Sequence, residues 1–279
     1  HSSIHNALEQ LKETFGFEVT YLPVYADGTI HLEDLKKALR KDTILVSMML
    51  VNNETGAINP IKECAAYVHA YSRAVFHMDG VQGLGKIPIS LHDVDMATFS
   101  AHKIYGLKGS AILYKKRNIE LLPLLSGGQQ EQGLRAGTSN APTNIVFAKT
   151  LRLALEEQEK AYQYVQELNI YLRREIENIE DMVINSPADA SCFILNFSDL
   201  KIGSEVMLNA LNAKGFCVSA QSTCSSKSKA ISHVLLAMGL GEVRATHAIR
   251  VSLSHMTTKD EVEKFIKALK EIHHDYRTK

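Results

Sequence analysis

Three short apolar runs, each ending abruptly in polar residues, constrain this chain more than any other feature. Residues 43–51 (TILVSMMLV) run straight into Asn52-Asn53-Glu54-Thr55-Gly56. Residues 74–78 end in Asp79, and residues 95–100 lead into Ala101-His102-Lys103. A continuous apolar run of strand length marks a strand buried on both faces of a parallel sheet. Helical periodicity lies between the first two runs, over 61–71. The alternation predicts an α/β fold with a mostly parallel sheet. Such sheets keep their ligands just past the strand ends. Asn53, Asp79, Gln82, Ser100, His102 and Lys103 all stand there.

The remaining segments fill in around this core. Ile4, Ala7, Leu8, Leu11 and Phe15 predict a helix over 2–15, closed by Gly16. Residues 17–22 read as a strand, 32–39 as a short helix and 110–114 as a further strand after the Gly109 turn. Residues 126–140 hold four glycines, Arg135 and several hydroxyls. Such a loop can offer N–H groups and a cation to an anion. A helical stretch over 145–179 contains the expected domain boundary. Residues 1–158 form a large sheet domain and residues 159–279 a smaller α+β domain. The second should contain strands at 192–197, 216–219 and 248–252. Its helices should span 204–212, 231–238 and 259–273, with a polar loop over 220–229.

Composition narrows the partners. The formal net charge is zero and there is no long basic block, so nucleic acid is not an expected direct ligand. No apolar run approaches membrane-spanning length. Four cysteines without metal spacing read as reduced thiols in a cytosol. Cys64 lies on a helix face and Cys192 and Cys217 lie in apolar strand contexts, so all three are expected to be buried and inert. The histidines show no zinc spacing. His77 and the His273-His274 pair read as structural or surface residues.

Asp79 and Lys103 close successive strands. A pyridoxal phosphate site needs a lysine amine for a Schiff base and a carboxylate beside the pyridine nitrogen. Gln82 is within reach of the cofactor's phenolic oxygen, and Ser100 and His102 flank the lysine where a phosphate needs donors. The simpler reading has Asp79 capping a turn and Lys103 solvated. Gly80-Val81-Gln82-Gly83-Leu84-Gly85-Lys86 mimics half of a P-loop, but Ile87 stands where magnesium needs a hydroxyl and Pro88 opposes an immediate helix. Cys224 lies in a polar loop with Lys227 and Lys229, which favour thiolate. Arg250 is a charge inside an apolar strand. It serves either a structural ion pair or a bidentate clamp on a substrate carboxylate.

Five ordered blocks carry a resemblance: Val51-Asn52-Asn53-Glu54-Thr55-Gly56, His77-Met78-Asp79-Gly80-Val81-Gln82, Ser100-Ala101-His102-Lys103-Ile104-Tyr105-Gly106, Arg135-Ala136-Gly137-Thr138 and Ile249-Arg250-Val251-Ser252. In this order they resemble the NifS/IscS-type cysteine desulfurases, pyridoxal-phosphate enzymes of the class V aminotransferase group. The resemblance implies a fold-type-I transferase acting as a cytoplasmic homodimer. It implies that Lys103 forms the Schiff base, Asp79 pairs with the pyridine nitrogen and Gln82 meets the phenolic oxygen. Ser100 and His102, with Ala101 between them in the cofactor site, hold the phosphate, joined by Thr138 from the partner subunit. His1 is similar to the histidine that stacks on the cofactor ring and helps move protons. Asn53 and Arg250 take the substrate carboxylate. Cys224 accepts sulfur from L-cysteine as a persulfide, releasing alanine.

Two departures qualify the resemblance. The cysteine loop reads Ser219-Ala220-Gln221-Ser222-Thr223-Cys224, without the family's glycine. The Cys-Ser-Ser-Lys continuation resembles desulfurases that feed tRNA thiolation more than those that feed iron–sulfur assembly. The family's Gly/Thr-rich phosphate cradle precedes the region that His1 resembles, so the chain is expected to be an N-terminally truncated member. The sulfur acceptor is expected to be a tRNA-thiolation enzyme or an iron–sulfur scaffold. The alternatives are another class V aminotransferase, a selenocysteine lyase, or an impaired fragment that only binds partners.

Overall fold

The computed structural model describes residues 1–220 and 231–277. Its elements run α1 Ser2–Phe15, α2 Leu32–Ala38, β1 Leu45–Met49, α3 Ile61–Tyr71, β2 Val75–Asp79, β3 Met96–Ser100, β4 Ala111–Lys115, α4 Ala141–Glu156 and α5 Gln158–Glu177. They continue β5 Met182–Ile184, β6 Ile194–Asp199, α6 Ser204–Ala213, β7 Ser219–Ala220, α7 His233–Ala237, α8 Glu242–Thr246, β8 Ala248–Ser252 and α9 Lys259–Arg277. Two compact units result: one of Lys41–Leu50 and Ile61–Ala161, the other of His1–Arg40, Val51–Pro60 and Tyr162–Lys279.

The first unit holds a four-stranded sheet in the order β1-β2-β3-β4. β1, β2 and β3 are parallel, and β4 returns antiparallel. Its centre is dry: Val68, Phe76, Val94 and Ala97 are fully buried. β1 corrects one expectation. The run 43–51 predicted a strand covered on both faces, yet only Met48 of β1 is buried, because β1 is an edge of this sheet. Asp95 closes the unit's base. Its carboxylate accepts from the Phe76 amide, Lys116 Nζ and the ring of His69.

The second unit holds an antiparallel sheet in the order β5-β6-β8-β7. β6 is buried along its whole length. Leu172 and Ile176 of α5, Met207 and Leu211 of α6, and Leu269 of α9 pack in one cluster with Leu195, Phe197 and Ile249. α9 forms because Val262, Phe265, Ile266, Leu269 and Ile272 recur on one helical face, and all five are buried. α1 ends as expected at Gly16, whose φ of 72° lets its N–H reach back to Lys12.

Other expectations are revised. Residues 17–22 form no strand. Tyr21 instead donates to Glu9 at 2.7 Å and its ring stacks on His5, so this segment is anchored to α1 through side chains. The stretch 145–179 is two helices, interrupted at Glu157. β5 and α8 were not expected, and β7 is shorter than 216–219 suggested. Cys217 is exposed rather than buried, because it lies before β7 begins. Cys64 and Cys192 are buried, and burial pushes their thiols up to about 11 and about 12.

Candidate functional site

In the parallel-sheet unit the site grows from the carboxyl ends of β2 and β3. Asp79 pairs in register with Thr98, and the Gly80 N–H continues the ladder to the Thr98 carbonyl at 3.0 Å. The next residue after β3 starts a short 3-10 helix, Ala101–Ile104, which carries His102 and half-buried Lys103. This turn closes tightly, with Tyr105 at φ 67° and the Gly106 N–H on the Ala101 carbonyl at 2.8 Å. A Cβ on Gly80 would lie 2.3 Å from the Phe99 ring, so only glycine lets the chain pass here.

Asp79 is 7% exposed, and its Oδ1 accepts the Val81 N–H at 3.0 Å. The turn-capping reading is therefore correct as far as it goes. A turn cap needs no burial, however, and burying a carboxyl group is costly without a partner. His77 lies two residues back, on the same face of the strand. Its Nδ1 is 2.8 Å from the Ser47 hydroxyl across the β1–β2 pair. Burial holds the His77 ring below its ordinary value, opposed by the Asp79 charge. His102 is also lowered, by desolvation and then by Lys103 and Lys108. Gln82 accepts from Lys86 at 3.0 Å, so the lysine of the P-loop mimic is engaged locally. Thr138 lies in an exposed loop where Gly137 N–H donates to Gln130.

His77 gives a pH prediction. A histidine lowered by folding stabilises the fold above its unfolded value near 6.5, and that contribution is lost as pH falls through the lowered folded value. Stability of the parallel-sheet unit should decline below about pH 6.5, and His77→Gln should flatten that decline in urea midpoints measured against pH. An unchanged slope would remove His77 from the account.

In the antiparallel-sheet unit, Arg250 and Asn53 come together although 197 residues separate them. Arg250 is centred on β8, in register with Asn196 of β6 and Ser219 of β7. Its Nη1 donates to the Asn53 carbonyl at 2.8 Å and its Nη2 to the Ser219 hydroxyl at 3.1 Å. Asn52 shapes the preceding turn, its Oδ1 accepting from the Glu54 and Thr55 amides. Two of the guanidinium's donors are thus fixed on neutral oxygens. A planar guanidinium held in this way has the fork geometry that suits a carboxylate. Ser219 was not legible in the sequence as a guanidinium partner. Its alternation with Val218 was the available signal.

A buried polar chain supports this unit. Arg244 Nε donates to Asn185 Oδ1 at 2.7 Å, and Asn185 Nδ2 donates to Asn196 Oδ1 at 2.8 Å. His1 is exposed and caps α1, its Nδ1 accepting from the Ser3 amide. Cys224 lies outside the described residues. Among the described residues no group of His, Cys, Asp and Glu is placed to hold a metal ion, and no helix is long and apolar enough to cross a membrane.

These residues fit pyridoxal phosphate by their chemistry. A buried carboxyl suits a protonated ring nitrogen, and an amine stands on the next strand end. A hydroxyl and an imidazole beside it suit a phosphate. Comparison with known proteins agrees. Residues 1–265 match the aminotransferase class-V family. A cysteine desulfurase IscS of Dictyoglomus turgidum is 41% identical over 270 residues, 95% of this chain and 68% of that protein. A solved NifS-like protein superposes with a TM-score of 0.91 at 36% identity, covering 98% of this chain and 72% of its own. A structure described as SspA in complex with cysteine gives a TM-score of 0.76 at 32% identity, over 92% of this chain and 72% of that one.

Proposed function

The chain belongs to the class-V aminotransferase family, among its cysteine desulfurases, and on that premise we propose which of its residues carry the reaction. The activity is pyridoxal-phosphate-dependent removal of sulfur from L-cysteine. When bound, the cofactor supplies an electron sink that lowers the energy of a carbanion beside the substrate amine. Lys103 provides the amine for its covalent attachment. Asp79 would keep the ring nitrogen protonated, and Gln82 would meet the phenolic oxygen. Ser100, Ala101 and His102 would line the phosphate, with Thr138 supplied by the second copy of a homodimer. His1 would be the residue set against the ring and would carry protons.

Asn53 and Arg250 hold the carboxylate of L-cysteine. The Cys224 thiolate attacks the substrate sulfur. A sulfur–sulfur bond forms, the carbon–sulfur bond breaks, and the electron pair stays on the β-carbon, which takes a proton on the way to L-alanine. The persulfide on Cys224 then passes its sulfur to an acceptor, a tRNA-thiolation enzyme or an iron–sulfur scaffold, in the cytoplasm. Asp79, Gln82, Ser100, His102 and Lys103 belong to the parallel-sheet unit, and His1, Asn53 and Arg250 to the antiparallel-sheet unit, a division that does not follow a single boundary at residue 158.

The observation that carries this assignment is the buried Asp79 carboxyl at one strand end, with the Lys103 turn leaving the adjacent parallel strand. The test is alanine and sulfide release from L-cysteine by the full chain with pyridoxal phosphate. Equal amounts of both are expected with a thiol reductant present. Cys224→Ser should abolish the protein-bound persulfide. Undiminished cysteine turnover in that variant would instead indicate another class V aminotransferase or a selenocysteine lyase.

Two variants test the binding groups. Asp79→Asn keeps an oxygen to cap Val81 but cannot hold a proton on the ring nitrogen. It should fold normally and lose about 100-fold in turnover, near 2.7 kcal/mol. Arg250→Lys removes the planar fork, and its KM for cysteine should rise about tenfold or more. A KM within twofold of the parent would place the substrate carboxylate elsewhere.

A further inference from the structure

Glu54 stands next to Asn53 and has no part in the chemistry above. It is 5% exposed, and among the described residues it forms no ion pair. Its Oε2 accepts from the Ser232 hydroxyl at 2.6 Å. Ser232 is fully buried, and its oxygen in turn accepts the Leu235 N–H at 3.1 Å to cap α7. The Glu54 carbonyl accepts from Asn196 Nδ2 at 3.1 Å, on the residue paired in register with Arg250. Gly56 continues the attachment, with its carbonyl accepting from the Ser191 amide at 2.8 Å. A Cβ on Gly56 would lie 3.2 Å from the Ser191 carbonyl.

The turn 52–56 is thus fastened at three points while its Asn53 carbonyl holds the Arg250 guanidinium. Packing alone does not require an acid here, because an apolar side chain fills such space at lower cost. What the carboxyl adds is direction, since a short bond from a buried hydroxyl fixes both partners. We propose that Glu54 is a positioning residue: its bond to Ser232 sets the 52–56 turn over β8 and so aims Arg250 at the substrate carboxylate. The inference rests on the assignment of Arg250 to that carboxylate.

Two measurements separate the fastening from the reaction. The first is amide hydrogen exchange on the full chain without cofactor. In Glu54→Ala the amides of Thr55, Gly56 and Ala57 should exchange about tenfold faster, the size of one lost buried hydrogen bond. The amides of β2 should keep their rates. The second is steady-state turnover with cofactor. Glu54→Ala and Ser232→Ala should each raise KM for cysteine about tenfold and lower kcat less than about threefold, and the double variant should cost no more than either alone. Glu54→Gln, which keeps an acceptor facing Ser232, should restore KM to within about threefold. Unchanged exchange, or kcat falling in step with KM, or Gln behaving like Ala, would overturn the proposal. A parent chain that consumes no cysteine would remove the reading of the reaction, while the exchange rates would still judge the fastening.

Discussion

Replacing Lys103 by alanine should lower cysteine turnover by about three orders of magnitude or more, a barrier increase near 4 kcal/mol. The lysine sits on a turn outside the core, so the variant should unfold within about 0.5 kcal/mol of the parent. The yellow colour of the cofactor-loaded protein should change with it, because the amine that attaches the cofactor is gone. Lys103→Arg should be no better. A guanidinium keeps its proton and cannot act as the attacking amine. Single-turnover alanine formation is the measurement that decides. Retention of a tenth of the parent rate by the alanine variant would show that another amine does the work.

The largest stability effect belongs to Phe197. It is fully buried on β6 among Leu172, Ile176, Met207, Leu211 and Leu269. Phe197→Ala removes the ring and leaves a hole that close-packed neighbours fill only in part, at about 3–5 kcal/mol. Urea unfolding of the antiparallel-sheet unit should show the loss as a lower midpoint. A cost below about 1 kcal/mol would mean that α5, α6 and α9 close over the gap, contrary to the density expected of such a core.

Much of this was legible in the residues, for identifiable reasons. β8 falls where 248–252 was expected, because an apolar strand with a single charge has few other readings. The ends of β2 and β3 were legible because apolar runs stop abruptly at Asp79 and Ser100. The misses share a physical cause: a residue pattern does not name its neighbour. Residues 17–22 have strand-like composition, but among the described residues no strand pairs with them. Residues 43–51 look buried on both sides, yet an edge covers only part of a strand. No proline or glycine marks the break at Glu157, so two helices read as one. The chain Arg244–Asn185–Asn196 was invisible because each member is an isolated polar residue, and only the fold brings them together. Cys224, on which the proposed sulfur transfer depends, rests on the sequence, as it lies outside the described residues.

Asn53 and Arg250 meet because Val51–Pro60 joins the antiparallel-sheet unit while the residues on either side of it belong to the other. The chain therefore changes unit at both ends of a ten-residue segment. No single cut frees either unit intact. Expressing only the C-terminal stretch would strip Arg250, Asn196 and Ser232 of the acceptors that Asn53 and Glu54 give them. The two units therefore cannot be swapped between relatives as cassettes, and a chimaera must carry the 51–60 segment together with the C-terminal sheet it completes.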